Sequence, residues 1–270
     1  MKSAYTGWMW LRPYEGRPDE FRAQFEQCVL ELSYLGYDCL ENFTFLKDYL
    51  TPQQVRETCA RHGTSMSALY ANLADGPDTL RRDVDYAAAI GAGYLICSSP
   101  NWPPEQGLDS PPDWDEVRRE AALCCELGEY ANAAGVRLLH NHHSFTPVCR
   151  RPEIDLFLSL TPAELVGICA DNGHALVAGM DAVQFVRDYG SRVEYVHVKD
   201  LDPTRENRGR GMSWVPLGLG TANLPGFFEA LRDIGFDGVV CAGLPLGCER
   251  INRFESARLS RIYLKSMIGV

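Results

Sequence analysis

The sequence has no apolar run long enough to span a bilayer, no Cys-x-x-Cys pair, and no Gly-x-Gly-x-x-Gly after its first apolar segment. The first absence argues against a helical membrane protein. The second leaves no pair for a zinc ribbon or a dithiol redox site. The third weakens a dinucleotide-binding reading. Positive charge is also scarce: 26 Lys+Arg against 36 Asp+Glu leave a net charge of −10. Such a surface repels phosphate backbones and anionic headgroups, so neither nucleic acid nor membrane is an expected partner, and an anionic substrate would need a local basic patch. No positively charged leader with an apolar core opens the chain. Of the ten cysteines, Cys28, Cys39, Cys59, Cys97, Cys124, Cys169 and Cys241 fall inside apolar periodic segments and read as small buried hydrophobes. A reducing cytoplasm is the expected compartment.

With 270 residues and a hydrophobic fraction of 46%, the chain can bury one large core. Strands are expected at 5–10, 37–43, 67–72, 94–98, around 136–140, 165–170, 193–198 and 239–242. Helices are expected between them, including 78–90, 115–134, 152–160, 181–189, 224–234 and 254–267. The strands are nearly continuous apolar runs, as when both faces of a parallel sheet are covered. Helices end at Gly36, Gly63, Gly91, Gly135, Gly190 and Gly235, each followed closely by a strand, which suits a left-handed C-cap. Eight such strand–helix units predict a single α/β domain over 1–270, a (β/α)8 TIM barrel with its active site at the strand C-termini. One connection, from Ser99 to Pro112, is Pro-rich and too long for a simple turn; it reads equally as an active-site cover or a surface insertion.

His140, Asp171, His174 and His197 stand at or just past the ends of three successive predicted strands. Imidazole and carboxylate together suit Mn2+, Zn2+, Co2+ or Fe2+ better than Mg2+. The expectation is a divalent-metal site, Mn2+ first, with His140, Asp171 and His197 as ligands.

The segments His140-Asn141-His142, Asp171-Asn172-Gly173-His174, Ala178-Gly179-Met180-Asp181, His197-Val198-Lys199-Asp200 and Pro216-Leu217-Gly218-Leu219-Gly220 resemble the xylose isomerase-like TIM barrels. That group includes sugar phosphate isomerases/epimerases and inosose dehydratases. The resemblance is clear over about residues 134–243 and generic before them. It implies a metal held at strand ends, commonly by two glutamates, an aspartate and a histidine, and a carboxylate that moves a proton beside a carbonyl. Asp171 and His197 match the aspartate and histidine ligands. His174 matches a substrate-contacting position, and Lys199 is placed to stabilise an enolate or, more plainly, to pair with Asp200.

Two departures stand out. His140 occupies the first ligand position, and Gly243 falls where the last-strand glutamate is expected. Two-base epimerisation is therefore in doubt, and a base must come from elsewhere: Glu41 is the candidate, with a buried carboxylate paired to an arginine as the alternative, and Glu249 a weaker substitute. Arg205, Arg208 and Arg210 could receive an anionic group or simply be solvated. His142 and Trp102 are further substrate-contact candidates, and Trp8 and Trp10 could add apolar walls. The expected function is a metal-dependent isomerase or epimerase acting on a small sugar or cyclitol. A dehydratase or other β-eliminating lyase is the close alternative, and a barrel that has lost catalysis and serves as a binding subunit is a third. A homo-oligomer is left open, and an endonuclease IV-like repair enzyme is disfavoured by the acidity and the few histidines.

Overall fold

The computed structural model describes residues 1–103, 106–202, 213–243 and 251–269. Eight parallel strands close into a barrel: β1 (Lys2–Thr6), β2 (Cys39–Phe43), β3 (Met66–Asn72), β4 (Tyr94–Ser98), β5 (Arg137–Asn141), β6 (Val166–Asp171), β7 (Val193–Val198) and β10 (Val239–Ala242), with β10 pairing back to β1. A short antiparallel ribbon, β8 (Asp200–Leu201) with β9 (Trp214–Val215), lies beyond β7. The helices are α1 (Trp8–Leu11), α2 (Pro18–Tyr34), α3 (Pro52–Arg61), α4 (Pro77–Ile90), α5 (Trp114–Ala133), α6 (Arg151–Leu160), α7 (Asn172–Val177), α8 (Ala182–Tyr189), α9 (Leu224–Asp233) and α10 (Arg253–Ile268). The chain is the expected (β/α)8 barrel. Among the described residues no helix is long and apolar enough to cross a membrane.

Side chains alternate along each strand, so the barrel has an inner and an outer core. Ala4, Cys39, Ala68, Ile96, Leu139, Cys169, Tyr195, Val239 and Cys241 form the inner one. The outer, much larger cluster lies between sheet and helices and holds Phe21, Phe25, Phe157, Phe185 and Phe227. Two residues beyond the inner layer, the inward positions turn polar: Thr6, Glu41, Tyr70, Ser98, Asn141, Asp171 and His197. That step from apolar to polar marks the mouth of the barrel.

The first strand differs from expectation. It ends at Thr6, and Trp8–Leu11 is a helical turn closed by Trp10 and Leu11 N–H groups donating to the Gly7 carbonyl at 3.0 and 3.1 Å. Gly7 is required there, since a Cβ would fall 2.3 Å from Asn42 Oδ1. The predicted cap at Thr51 is present: its hydroxyl accepts from Gln54 N–H at 3.3 Å while Gln54 Oε1 accepts from Thr51 N–H at 2.8 Å. Five of the six punctuating glycines have positive φ. The sixth, Gly190, is right-handed, and its small size serves packing instead, because a Cβ would meet Ile234 at 2.7 Å.

Candidate active site at the barrel mouth

Asp171 is the last residue of β6 and the N-cap of α7. Its Oδ1 accepts the His174 N–H at 3.0 Å, so the Asp-x-x-His spacing folds His174 back over its own strand end. Its Oδ2 takes the Lys199 ammonium in an ion pair and lies 3.5 Å from His197 Nδ1 and 3.8 Å from His174 Nε2. Gly173 permits this crowding, because a Cβ there would meet Trp214 at 2.5 Å and Lys199 Cβ at 2.8 Å. Lys199 does not pair with Asp200. That carboxylate instead accepts backbone N–H groups of Gly218, Gly220 and Ala222 at 3.0, 2.9 and 3.0 Å and shapes the Pro216–Ala222 loop.

Across the lumen, Glu41 Oε2 accepts from His197 Nε2 at 2.7 Å. No arginine is needed to pair it. The His197 ring stacks on Tyr70, centroids 6.0 Å apart, and meets Tyr195 edge-on at 5.8 Å. Tyr70 donates to Ser98 Oγ at 2.7 Å and Asn141 Oδ1 at 3.1 Å. Phe43 and Trp8 continue the aromatic wall outward, Trp8 to Phe43 at 4.3 Å and Phe43 to Tyr70 at 5.4 Å. Trp10 is fully buried, its indole N–H donating to Glu31 at 2.6 Å, so it packs and does not line the mouth.

The charge states follow from these contacts. Burial disfavours the charged Asp171 carboxylate, but Lys199, His174 and His197 outweigh it and hold the group well below the usual range. Burial, with His143 and Lys199 beside it, keeps His174 neutral far below its ordinary pKa. His197 goes the other way: burial lowers it, while Cys169, Glu41 and Asp171 together raise it well above the usual imidazole value.

Two of the expected site histidines are elsewhere. His140 Nε2 donates to Glu120 Oε1 of α5 at 2.6 Å, Ser99 Oγ donates to the other Glu120 oxygen at 2.6 Å, and the ring packs on Phe157 of α6 at 4.3 Å. It lies outside the barrel and cannot share an ion with Asp171 and His197. The reason is strand parity: Leu139 and Asn141 face inward, so His140 and His142 face outward. His142 packs on Phe185 of α8 at 4.3 Å, and its Nε2 accepts the Asp171 N–H at 3.1 Å. It supports the mouth from behind and does not reach into it. Residues missed in the sequence are Asn141, Tyr70, Cys241 and His143; the His143 ring lies 3.5 Å from that of His174. Period-2 counting along β5, β3 and β10 from one secured inward residue on each would have found the first three.

Trp102 is half-buried at the rim. Its N–H donates to the Phe145 carbonyl at 2.6 Å, and the Arg150 guanidinium lies 5.7 Å from its ring. Arg150 also donates to the carbonyls of Leu108 and Ser110 at 2.6 and 2.7 Å, tying the long loop after β4 onto the loop after β5. Phe145 has φ of 64°, a costly conformation for a non-glycine residue at the edge of the mouth. Arg205, Arg208, Arg210 and Glu249 lie outside the described residues.

The model of the family described as the xylose isomerase-like TIM barrel matches residues 29–266. The chain belongs to that family. An inosose dehydratase of Geobacillus kaustophilus is 25% identical over 90% of this chain and 87% of its own length, and one of Lacticaseibacillus casei is 26% identical over 91% and 90%. Among solved structures, D-allulose 3-epimerase from Methylomonas sp. superposes with a TM-score of 0.80 at 15% identity, over 99% of this chain and 97% of the other. The IOLI protein, whose structure holds a zinc atom, gives 0.75 at 18% identity over 100% and 98%. These structural likenesses are likenesses of fold.

A divalent metal is what the family suggests, and the donor chemistry at the mouth fits one. Glu41, His197 and Cys241, all buried, each offer a ligand atom, and the three atoms lie within 4.8 Å of one another. At β10, Gly243 cannot contribute: even a Cβ would fall 2.1 Å from Thr6 Cγ2, so the Thr6 side chain stands where a glutamate would begin.

Proposed function

We propose that the chain is a metal-dependent lyase that removes water from a keto-cyclitol or a closely related keto-sugar. The observation that carries this reading is the one-sidedness of the proton-handling groups. Asp171, His174 and Lys199 come from β6, α7 and the end of β7, whereas the described end of β10 offers Gly243. Two-base epimerisation needs a proton carrier on each face of the substrate; β-elimination needs one. The names of the inosose dehydratase relatives point the same way.

A divalent metal at His197, when bound, polarises the carbonyl and its neighbouring hydroxyl and so acidifies the carbon next to them. The protein does the rest. His174 is the base: it is held neutral, its Nδ1 lies 2.8 Å from Ser144 Oγ, and in the tautomer whose Nδ1–H donates to that hydroxyl its Nε2 carries a lone pair for the carbon-bound proton. The Lys199 ammonium stabilises the oxygen on which charge develops. Asp171 fixes both, as the cap that positions His174 and the counter-ion that orients Lys199. The hydroxyl on the next carbon then departs, takes the proton that His174 removed from carbon and leaves as water, which returns His174 to its neutral state. Trp8, Phe43 and Tyr70 offer an apolar wall to the ring, and Trp102 closes the rim beside it.

Isomerisation or epimerisation, the other reading, would need Glu41 as the second proton carrier, but that carboxylate is engaged by His197. The test is incubation with a panel of inososes and keto-sugars in the presence of Zn2+, Co2+ or Mn2+, read by mass spectrometry. A product lighter by one water is expected. Product of unchanged mass, or none across the panel, contradicts the lyase.

A further inference from the structure

We propose that Glu41, His197 and Cys241 are the protein ligands of the metal, a carboxylate–imidazole–thiolate set that favours zinc-like ions over manganese. The inference rests on the metal-dependent reading above and specifies its site. Cys241 faces the inner core from β10, and in the barrel register it pairs with His197. The thiol therefore lies level with the imidazole, one inward step below the position where Gly243 offers nothing.

The two nitrogens of His197 divide the mouth into two compartments. Nε2 faces Glu41 at 2.7 Å, and Glu41, His197 and Cys241 each bring a ligand atom within 4.8 Å of the others. Nδ1 faces Asp171 at 3.5 Å. A metal-bound histidine commonly gives its other N–H to a carboxylate, which fixes the tautomer and ring orientation. Asp171 has that second place. Its own oxygens are already engaged, Oδ1 by the His174 N–H and Oδ2 by the Lys199 ammonium, and an ion there would have to displace a lysine.

Charge balance favours the same set. One carboxylate, one thiolate and one neutral imidazole around M2+ sum to zero, the state a buried site tolerates best. Binding is balanced when two protons leave: the Cys241 Sγ–H and the His197 Nε2–H that Glu41 accepts both go to solvent as the sulfur–metal and nitrogen–metal bonds form, while His197 keeps its Nδ1–H toward Asp171 and Glu41 is freed to bind the ion. Three protein ligands leave an open position for substrate or water, as in catalytic zinc sites. A sulfur donor selects Zn2+, Co2+ or Fe2+ over the oxygen-preferring Mn2+.

The experiment uses the full chain, stripped of metal with a chelator and titrated with Co2+ as the probe. Expected are one cobalt per chain, visible ligand-field bands and a near-ultraviolet thiolate-to-cobalt charge-transfer band. Cys241→Ser should keep the visible bands and lose the ultraviolet one, while Cys169→Ser, at a neighbouring thiol, keeps both. X-ray absorption of the zinc-loaded wild type needs no variant and should give one sulfur at about 2.3 Å. A shell of oxygen and nitrogen alone, or a charge-transfer band that survives in Cys241→Ser, overturns the assignment and leaves the metal-dependent reading standing. A folded chain that binds no cobalt at all overturns both.

Discussion

At the scale of single residues, Lys199 and Asp171 form an ion pair at the mouth, and each constrains the other. A buried carboxylate next to an ammonium stays charged, and the ammonium stays where the carboxylate points it. Lys199→Met should lower kcat by about 100- to 1000-fold, the usual loss for one electrostatic stabiliser. Cobalt stoichiometry should be unchanged, because Lys199 is outside the metal compartment; loss of cobalt together with activity would contradict that division. The buried histidines make a second prediction. Burial lowers His142 to about 3 and His143 to about 4, below an unfolded value near 6.5. A lowered imidazole is neutral when folded, so its contribution is complete above about pH 6.5 and declines as the pH falls toward the folded values. Thermal melts from pH 7 to pH 4 should show Tm falling steadily, and His142→Gln, which can still accept from Asp171 N–H, should flatten the slope. An identical slope would contradict the neutral buried assignment.

At the scale of elements, β5 shows how much of the site was legible and where legibility stopped. Strand position, helix position and the end of the barrel that carries chemistry follow from apolar runs, glycine caps and chain length. Which side of a strand faces inward does not, because both faces of a parallel strand in a barrel are apolar: Leu138 and Leu139 are equally hydrophobic and face opposite ways. His140 was therefore one residue away from the inward position, held by Asn141. Asp171 and His197 carried a second signal, the Asp-x-x-His cap and the lysine two residues on, and both lie at the mouth. Glu41 was placed at its strand end, but its partner could not be read across 156 residues.

His140 gives a prediction at this scale. It joins β5 to α5 through Glu120, with Ser99 on the other oxygen. His140→Ala should cost about 2 kcal/mol of stability, the penalty for a buried polar group losing a partner. Urea unfolding measures the cost, and metal content should be unaltered; a variant that loses its metal would return His140 to the site. Arg150 ties the loop after β4 to the loop after β5. Arg150→Ala should raise KM by about tenfold with a smaller change in kcat, since the hydrogen bonds to Leu108 and Ser110, the ion pair with buried Glu153 and the cation–π contact to Trp102 are all lost. An unchanged KM would make the loop a bystander.

At the scale of the whole molecule, the barrel supplies eight inward positions at one level, and this chain fills them unevenly. Aromatic groups come from β2 and β3, charge from β6, β7 and the Glu41 carboxylate of β2, and from β10 a thiol but no carboxylate. A site with proton carriers on one face is suited to removing a proton and not to returning it from the opposite face. The most direct test follows an inosose in D2O by proton NMR, with the zinc- or cobalt-loaded protein. Loss of water to an unsaturated or tautomerised diketone-level product is expected, with no epimer accumulating. Recovery of the epimer carrying deuterium at the inverted carbon, without loss of water, would contradict it.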